Sequence, residues 1–225
     1  MNRLIISDPQ IPFQHPDCIP FIKRVKKEFN IPDEGMCCVG DELDNYFGGL
    51  WKKSPEAAHT PNSEIRASLD ILTEWYCEFP QMKLATSNHG TRWQRKAAEA
   101  EIPSQLLRQY REVINAPEGW QWAKRWQFND GHPWLLEHGD DWGGGDPHVQ
   151  ATLYNGISTA IGHYHSKASV TYLNTGLKQM WAMVTGSIID FDQYAFEYAR
   201  KSKLKPVISL GVVVDNGRVA FLIPY

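Results

Sequence analysis

Short apolar runs, each stopped by a polar cluster, mark out the front half of the chain. Arg3 to Ser7 is a β-branched run that reads as a buried strand with Asp8 at its end. Met36 to Val39 reads as a second strand, ending on Gly40-Asp41. Met82 to Thr86 reads as a third, which delivers Ser87-Asn88-His89. Between them the period lengthens. Ile19, Ile22, Val25 and Phe29 recur at helical spacing within Pro16 to Phe29, and Ile65, Leu69, Leu72 and Tyr76 share one face of a helix from an Asn62 N-cap to about Phe79. Arg92 to Ala100 and Pro103 to Ile114 read as two more helices, the second opened by its proline. From Asp44 to Asn62 the period is lost, as in a loop or the edge of a lid.

The rear half alternates. Trp122, Trp126 and Phe128, an Asn129-Asp130-Gly131 turn and Trp134-Leu135-Leu136 predict a hairpin whose second strand ends at His138. Asp140 to Gly145 is a glycine-rich loop, and Asp146-Pro147 caps and opens a helix to about Gly156. Thr159-Ala160-Ile161 then runs into Gly162-His163-Tyr164-His165. Val170 to Leu173 reads as a strand before an Asn174-Thr175-Gly176 turn. Pro206 to Val214, Asp215-Asn216-Gly217 and Arg218 to Ile223 form a closing hairpin, whereas Lys178 to Lys205 shows no clear period. With neither repeat nor linker, residues 1–225 read as a single α/β domain.

Composition narrows the classes. At 225 residues and 42% hydrophobic, the chain can bury one sizeable core. A formal net charge of -3 gives no general attraction to nucleic acid, although a local basic groove stays open. Cys18, Cys37, Cys38 and Cys77 form no Cys-x-x-Cys pair and read as reduced core thiols. No apolar run approaches the roughly 20 residues that span a bilayer. The N-terminus lacks a signal-peptide pattern. The expectation is a cytoplasmic protein without a membrane partner; composition is silent on oligomeric state.

Five polar clusters stand at the ends of apolar runs: Asp8-Pro9-Gln10, Gly40-Asp41, Asn88-His89, His138-Gly139 and Gly162-His163-Tyr164-His165. Singly, each is an ordinary turn or cap. In extended backbone residues i and i+2 point the same way, so Asp8 and Gln10 can share a target, as can His163 and His165. Carboxylates, amide carbonyls and imidazoles form a mixed oxygen and nitrogen set suited to Mn²⁺, Fe, Zn²⁺ or Ni²⁺ and too nitrogen-rich for Ca²⁺ or Mg²⁺. Two such ions roughly 3.5–4 Å apart can hold a phosphate, generate a hydroxide and stabilise a leaving oxygen.

In this order the clusters resemble the calcineurin-like metallophosphoesterase superfamily, whose pattern is Asp-x-His, Gly-Asp, Gly-Asn-His-Asp/Glu, Gly-His or His-Gly, and Gly-His-x-His. The resemblance covers nearly the whole chain. It implies a four-layer α/β/β/α sandwich, two packed mixed β-sheets flanked by helices, holding two divalent transition metal ions, Mn²⁺ first and Fe, Zn or Ni as alternatives. Asp41 would bridge the ions, Asp8, Gln10 and His165 would complete one site, and Asn88, His138 and His163 the other. His89 would bind no metal and would protonate the leaving group or stabilise transition-state charge. The implied activity is hydrolysis of a phosphomonoester or phosphodiester by a metal-bound hydroxide. The alternatives are a DNA or RNA nuclease of the same superfamily and a metal-binding scaffold that has lost turnover.

Three departures from that pattern matter. Gln10 stands where the family has histidine, and its amide oxygen is the weaker donor. Ser87 replaces a glycine. Gly90 replaces the acidic residue expected after His89, so a carboxylate that would orient that imidazole must come from elsewhere. Asp44, in Gly40-Asp41-x-x-Asp44, is expected to orient its neighbourhood. The substrate expected is a phosphorylated small molecule or a nucleotide, with Trp93 and Trp142 near the metals to stack on a base and Arg92, beside Arg95 and Lys96, to attract phosphate. His15, His59, His132 and His148 fit no motif and read as loop histidines.

Overall fold

The computed structural model of the protein describes residues 1–49, 59–191 and 204–225. The front half runs β1 (Arg3–Ile6), α1 (Cys18–Glu28), β2 (Met36–Cys38), α2 (Pro61–Glu78), β3 (Met82–Ala85), α3 (Arg92–Glu99), α4 (Tyr110–Val113) and β4 (Trp120–Ala123). The rear half runs β5 (Arg125–Phe128), β6 (Trp134–Glu137), α5 (Pro147–Asn155), β7 (Ser158–Ile161), β8 (Ala168–Asn174), β9 (Gln179–Thr185), β10 (Ser209–Val214) and β11 (Val219–Pro224). These strands make two mixed sheets, ordered β11-β10-β1-β2-β3-β4 and β5-β6-β7-β9-β8.

Strand periodicity decides which core each residue joins. Leu4 and Ile6 face one side of the first sheet, against Ile19, Ile22 and Val25 of α1 and Leu72 and Trp75 of α2. Ile5, one residue out of phase, faces the other side and packs with Trp134, Leu136, Ala160, Trp181 and Met183 of the second sheet. A core thus lies between the sheets, and another lies under the front helices. Each large aliphatic fully buried there contributes about 2 kcal/mol. On the second sheet's other face, Ala151 of α5 packs on Ile161 and Val184.

Parallel pairing sets the position of the polar clusters. β1, β2 and β3 run parallel, so their C-terminal ends share one edge and carry Asp8, Asp41 and Asn88-His89 just beyond it. β6, β7 and β9 are also parallel, and His138 follows β6 while His163 and His165 follow β7. Such strand ends are where open α/β sheets receive ligands.

Several expectations need correction. Thr60, not Asn62, caps α2: it accepts from the Ser63 N–H in a capping box, with Pro61 as the first helical residue. Pro103 to Ile114 is not one helix. A single 3-10 turn at Ser104–Leu106 gives way to extended Gln109, and α4 restarts at Tyr110 with Glu112 Oε2 accepting from the Gln109 N–H. Leu106 lies open to solvent while Ile114 is buried, so the apolar positions that helical spacing would align are not buried together.

The tryptophan-rich alternation is also two strands rather than one. β4 pairs parallel with β3, whereas β5, beginning one residue later, pairs with β6 in the other sheet. The Trp134 arm of the hairpin forms as expected. β9 forms within the segment from Lys178 to Lys205 that shows no clear period, part of which lies outside the described residues. Six of its seven residues are buried, and a strand covered on both faces carries no alternation to read. Cys77 is exposed on α2, unlike the three buried thiols. His148 is buried on α5 and is no loop histidine. The loop expected from Asp44 to Asn62 lies partly outside the described residues. Among the described residues no helix is long and apolar enough to cross a membrane.

Candidate metal centre

The residues just past the strand ends meet in one buried cluster. Asp41, His138 and His163 offer ligand atoms that all lie within 4.8 Å of one another. Asp8 Oδ1 is 3.7 Å from His138 Nδ1, and Asp8 Oδ2 accepts the His163 backbone N–H at 2.7 Å. Asn88 Oδ1 is 2.8 Å from His138 Nε2. On the other flank Gln10 Nε2 lies 3.1 Å from His165 Nε2, and the Gln10 N–H donates to the Asp41 carbonyl at 2.8 Å. All seven expected ligands are therefore linked, although the tight triad contains only three of them.

The backbone is bent to bring them there. Asp8, Gln10, Asp41 and His163 have φ of 30°, 49°, 49° and 67°, in the left-handed region where side chains other than glycine's are strained. Gly162 is needed for a different reason. A Cβ there would sit 2.3 Å from Val39 Cγ2 and 2.8 Å from Asp8 Oδ2, so only glycine lets β7 deliver His163 this close to the end of β1.

Burial and charge act differently on the two carboxyls. Burial pushes the Asp8 carboxyl well above the usual range; the nearby Asp41 and Glu42 add to this, against His138 and the His163 N–H. Burial acts on Asp41 too, but His138, His89, the Ser87 hydroxyl and His165 outweigh it and hold Asp41 well below its ordinary value. Burial also opposes charge on His138, yet Asp41, Asp8 and Asp140 prevail and raise it. Protonated, that ring donates to the Val39 carbonyl from Nδ1 at 3.0 Å and to Asn88 Oδ1 from Nε2. Desolvation lowers His163, aided by His138, and takes His165 down to about 4. Both are neutral at pH 7, the form in which imidazole binds metals.

A cation fits this set. Asp8 Oδ1, Gln10 Oε1 and Asp41 Oδ2 are buried acceptors that meet no hydrogen-bond donor. Leaving several such oxygens together unpaired is costly, and a positively charged guest offsets that cost. The His138 bond to a backbone carbonyl is also the usual way in which a ligating imidazole is oriented through its other nitrogen.

His89 stands beside the cluster. Its backbone N–H donates to Asp41 Oδ1 at 3.2 Å, and its ring Nε2 is 3.7 Å from Asp41 Oδ2. Asp44 Oδ1, from the loop after β2, approaches His89 Nδ1 to 3.2 Å, a charge contact without the geometry of a hydrogen bond. Asn45 Nδ2 holds the His89 carbonyl at 3.0 Å. The Arg92 guanidinium contacts His89 Nε2, the Asp44 carbonyl and, at 3.7 Å, Asp44 Oδ1. Arginine has no acceptor, so in this arrangement Nε2 presents a lone pair and Nδ1 carries the proton.

The residues expected to bind substrate are scattered. Arg92 is engaged with His89 rather than free beside the cluster. Trp93 is 45% exposed on α3, where it lines an apolar cavity. Trp142 donates to Glu137 Oε1 at 2.9 Å and its carbonyl accepts the Tyr164 hydroxyl, whose ring lies edge-on to His163 at 5.2 Å between centroids. It therefore supports His163 from behind. Sequence reasoning missed Tyr164, although its place between the two histidines was a signal, and it missed Glu42 beside Asp41. The chain matches no protein-family model and no curated protein.

Proposed function

We propose that this chain is a dinuclear metal-dependent phosphoesterase of the calcineurin-like metallophosphoesterase type, with the four-layer sandwich of that superfamily, hydrolysing a phosphomonoester or phosphodiester. The observation that carries the reading is the convergence of Asp8, Gln10, Asp41, Asn88, His138, His163 and His165 from strand ends of two sheets, with His89 alongside. Asp8, Gln10, Asp41 and His165 would hold one ion, and Asp41, Asn88, His138 and His163 the other. Bound there, the two ions would offset phosphate charge and bring the pKa of a water toward neutrality.

The protein's own groups do the rest. Asp41, with one oxygen on the His89 N–H and the other unpaired, is placed to lie between the two halves of the cluster. Asp44 orients the His89 ring, and Arg92 keeps a permanent positive charge at its far nitrogen. In this arrangement the Arg92–His89 pair stabilises charge developing on the phosphate. For His89 to donate a proton, Nε2 must first exchange its Arg92 contact for a proton.

Turnover of a chromogenic monoester, a chromogenic diester, and single-stranded and duplex DNA with Mn²⁺ tests the reading. Monoester or diester hydrolysis that vanishes in Asp41→Ala supports it, and DNA cleavage would move it to the nuclease branch. The Arg92 hold on His89 Nε2 favours one second reading, a metal-binding scaffold without turnover. Metal uptake with silence on every substrate would establish that reading instead.

A further inference from the structure

A cavity of about 430 Å³ opens between β4, α4 and the start of α3. Its walls include Ser87, Gly90 and Thr91, which flank Asn88-His89. Gly90 stands where the resemblance expects an acidic side chain, and it also borders the neighbouring apolar cavity that Trp93 lines. A Cβ at Gly90 would lie 3.3 Å from Ser87 Oγ, and a longer side chain would add a charge to a wall shared by both cavities. Glycine thus keeps side-chain bulk and charge out of that shared wall.

The lining is aromatic and amide-rich. Trp122 and Tyr110 meet at 86° with centroids 5.8 Å apart, forming a corner. Gln94, Gln109 and Gln121 offer amide donors and acceptors around it. Glu42 is only 2% exposed. Its Oε1 accepts from Trp122 Nε1 at 3.0 Å, while Oε2 has no hydrogen-bond partner of ordinary geometry. The Tyr110 hydroxyl stands close to Glu42 but likewise makes no well-formed bond. Glu42 and the Tyr110 hydroxyl thus lie against each other inside the wall, and the polar groups at the cavity itself are the three exposed glutamine amides. The lone lining cation, Arg111, is exposed, so the interior does not suit a second phosphate.

We propose that this cavity is the recognition subsite for the leaving group and takes a nucleobase, which makes a nucleotide the substrate class. The proposal rests on the phosphoesterase reading for the word leaving group, since Ser87 and Gly90, which flank Asn88-His89, line the cavity. A flat heterocycle with donors and acceptors along its edge fills an aromatic corner and meets the glutamine amides around it. The volume is on the scale of ordinary ligand pockets, roughly 300–1,000 Å³.

Binding of free nucleosides, followed by calorimetry and by tryptophan fluorescence with neither metal nor phosphate present, tests the subsite without catalysis. At least one of adenosine, guanosine, cytidine and uridine should bind with one site per chain. Gln94→Leu should weaken it about tenfold, the usual worth of one hydrogen bond. Gln121→Trp, a substitution at an exposed β4 position that fills the cavity, should abolish it with an unchanged melting temperature. With Mn²⁺, that variant should show a raised KM for nucleotides.

No nucleoside binding, or binding indifferent to Gln121→Trp, overturns the proposal. So does binding of methyl glycosides in preference to nucleosides. If glycerol phosphate is hydrolysed while nucleosides fail to bind, the subsite falls and the phosphoesterase reading stands. If nucleosides bind through the cavity and no ester is cleaved, base recognition stands and the phosphoesterase reading falls.

Discussion

The two flanks of the cluster are built on the same plan and finished differently. Each has an amide side chain beside an imidazole. Asn88 turns its oxygen to His138 Nε2 at 2.8 Å, and Gln10 turns its nitrogen to His165 Nε2 at 3.1 Å. On the Asn88 flank, loss of one proton from His138 leaves two donor atoms side by side facing Asp41. On the Gln10 flank, the amide N–H occupies the lone pair that an ion needs, and the amide oxygen is unpaired elsewhere. The difference teaches that an amide presenting its nitrogen instead of its oxygen to an imidazole turns two acceptors side by side into a hydrogen-bonded pair.

The hardest way to break the comparison is to remove what the flanks share. Asp41→Ala should reduce both bound transition metal and turnover to background, read by elemental analysis and the ester assay. Full metal content in that variant would take Asp41 out of the cluster. Next in size, His89→Ala should keep its metal while losing roughly 10²–10⁴-fold in rate, the range of a positioned proton-transfer group. Asp44→Asn should lose less, through the same step. If His89→Ala loses metal instead, His89 belongs to the ligand set.

The sharpest comparison of the flanks is Gln10→His. Calorimetric titration of apoprotein should show a weaker and a stronger step in the wild type. The weaker step should tighten by about tenfold, ~1.4 kcal/mol, in the variant. Two equally tight steps in the wild type would contradict the contrast. The smallest effect concerns a histidine outside the cluster. Burial, helped by Lys167 and opposed by Asp146, lowers His148, whose Nε2 sits 3.1 Å from Ser169 Oγ and 3.2 Å from Thr171 Oγ1. The unfolded chain then binds the extra proton first, so stability is full above the unfolded histidine value of about 6.5 and falls as pH drops below it, by at most ~1.4 kcal/mol per pH unit. His148→Gln should flatten that slope in urea melts at pH 5 to 7, and an unchanged slope would assign it to other groups.

Residues bound to the backbone's local rules were the ones legible in advance. The strands bearing Asp8, Asp41 and Asn88 were visible because each is a short apolar run ended by a turn. α1 was visible because Ile19, Ile22 and Val25 bury one stripe. β9 was not, because burial on both faces erases period. The break between β4 and β5 was not, because the alternation of aromatic residues continues across Lys124 while the partner sheet changes.

The site divides the same way. Sequence by itself determined which chemical groups stand at the strand ends and in what order, because side-chain type and strand termination are local properties. Only the tertiary structure decided that Asp44, rather than a residue at position 90, reaches His89 Nδ1, and that Arg92 is held on the same ring. It alone decided that Trp142 braces Tyr164 instead of facing a substrate, and that Glu42 and Trp122, 80 positions apart in the chain, wall one cavity. Contacts between distant segments depend on how two sheets and their loops pack, and no spacing along the chain encodes that packing.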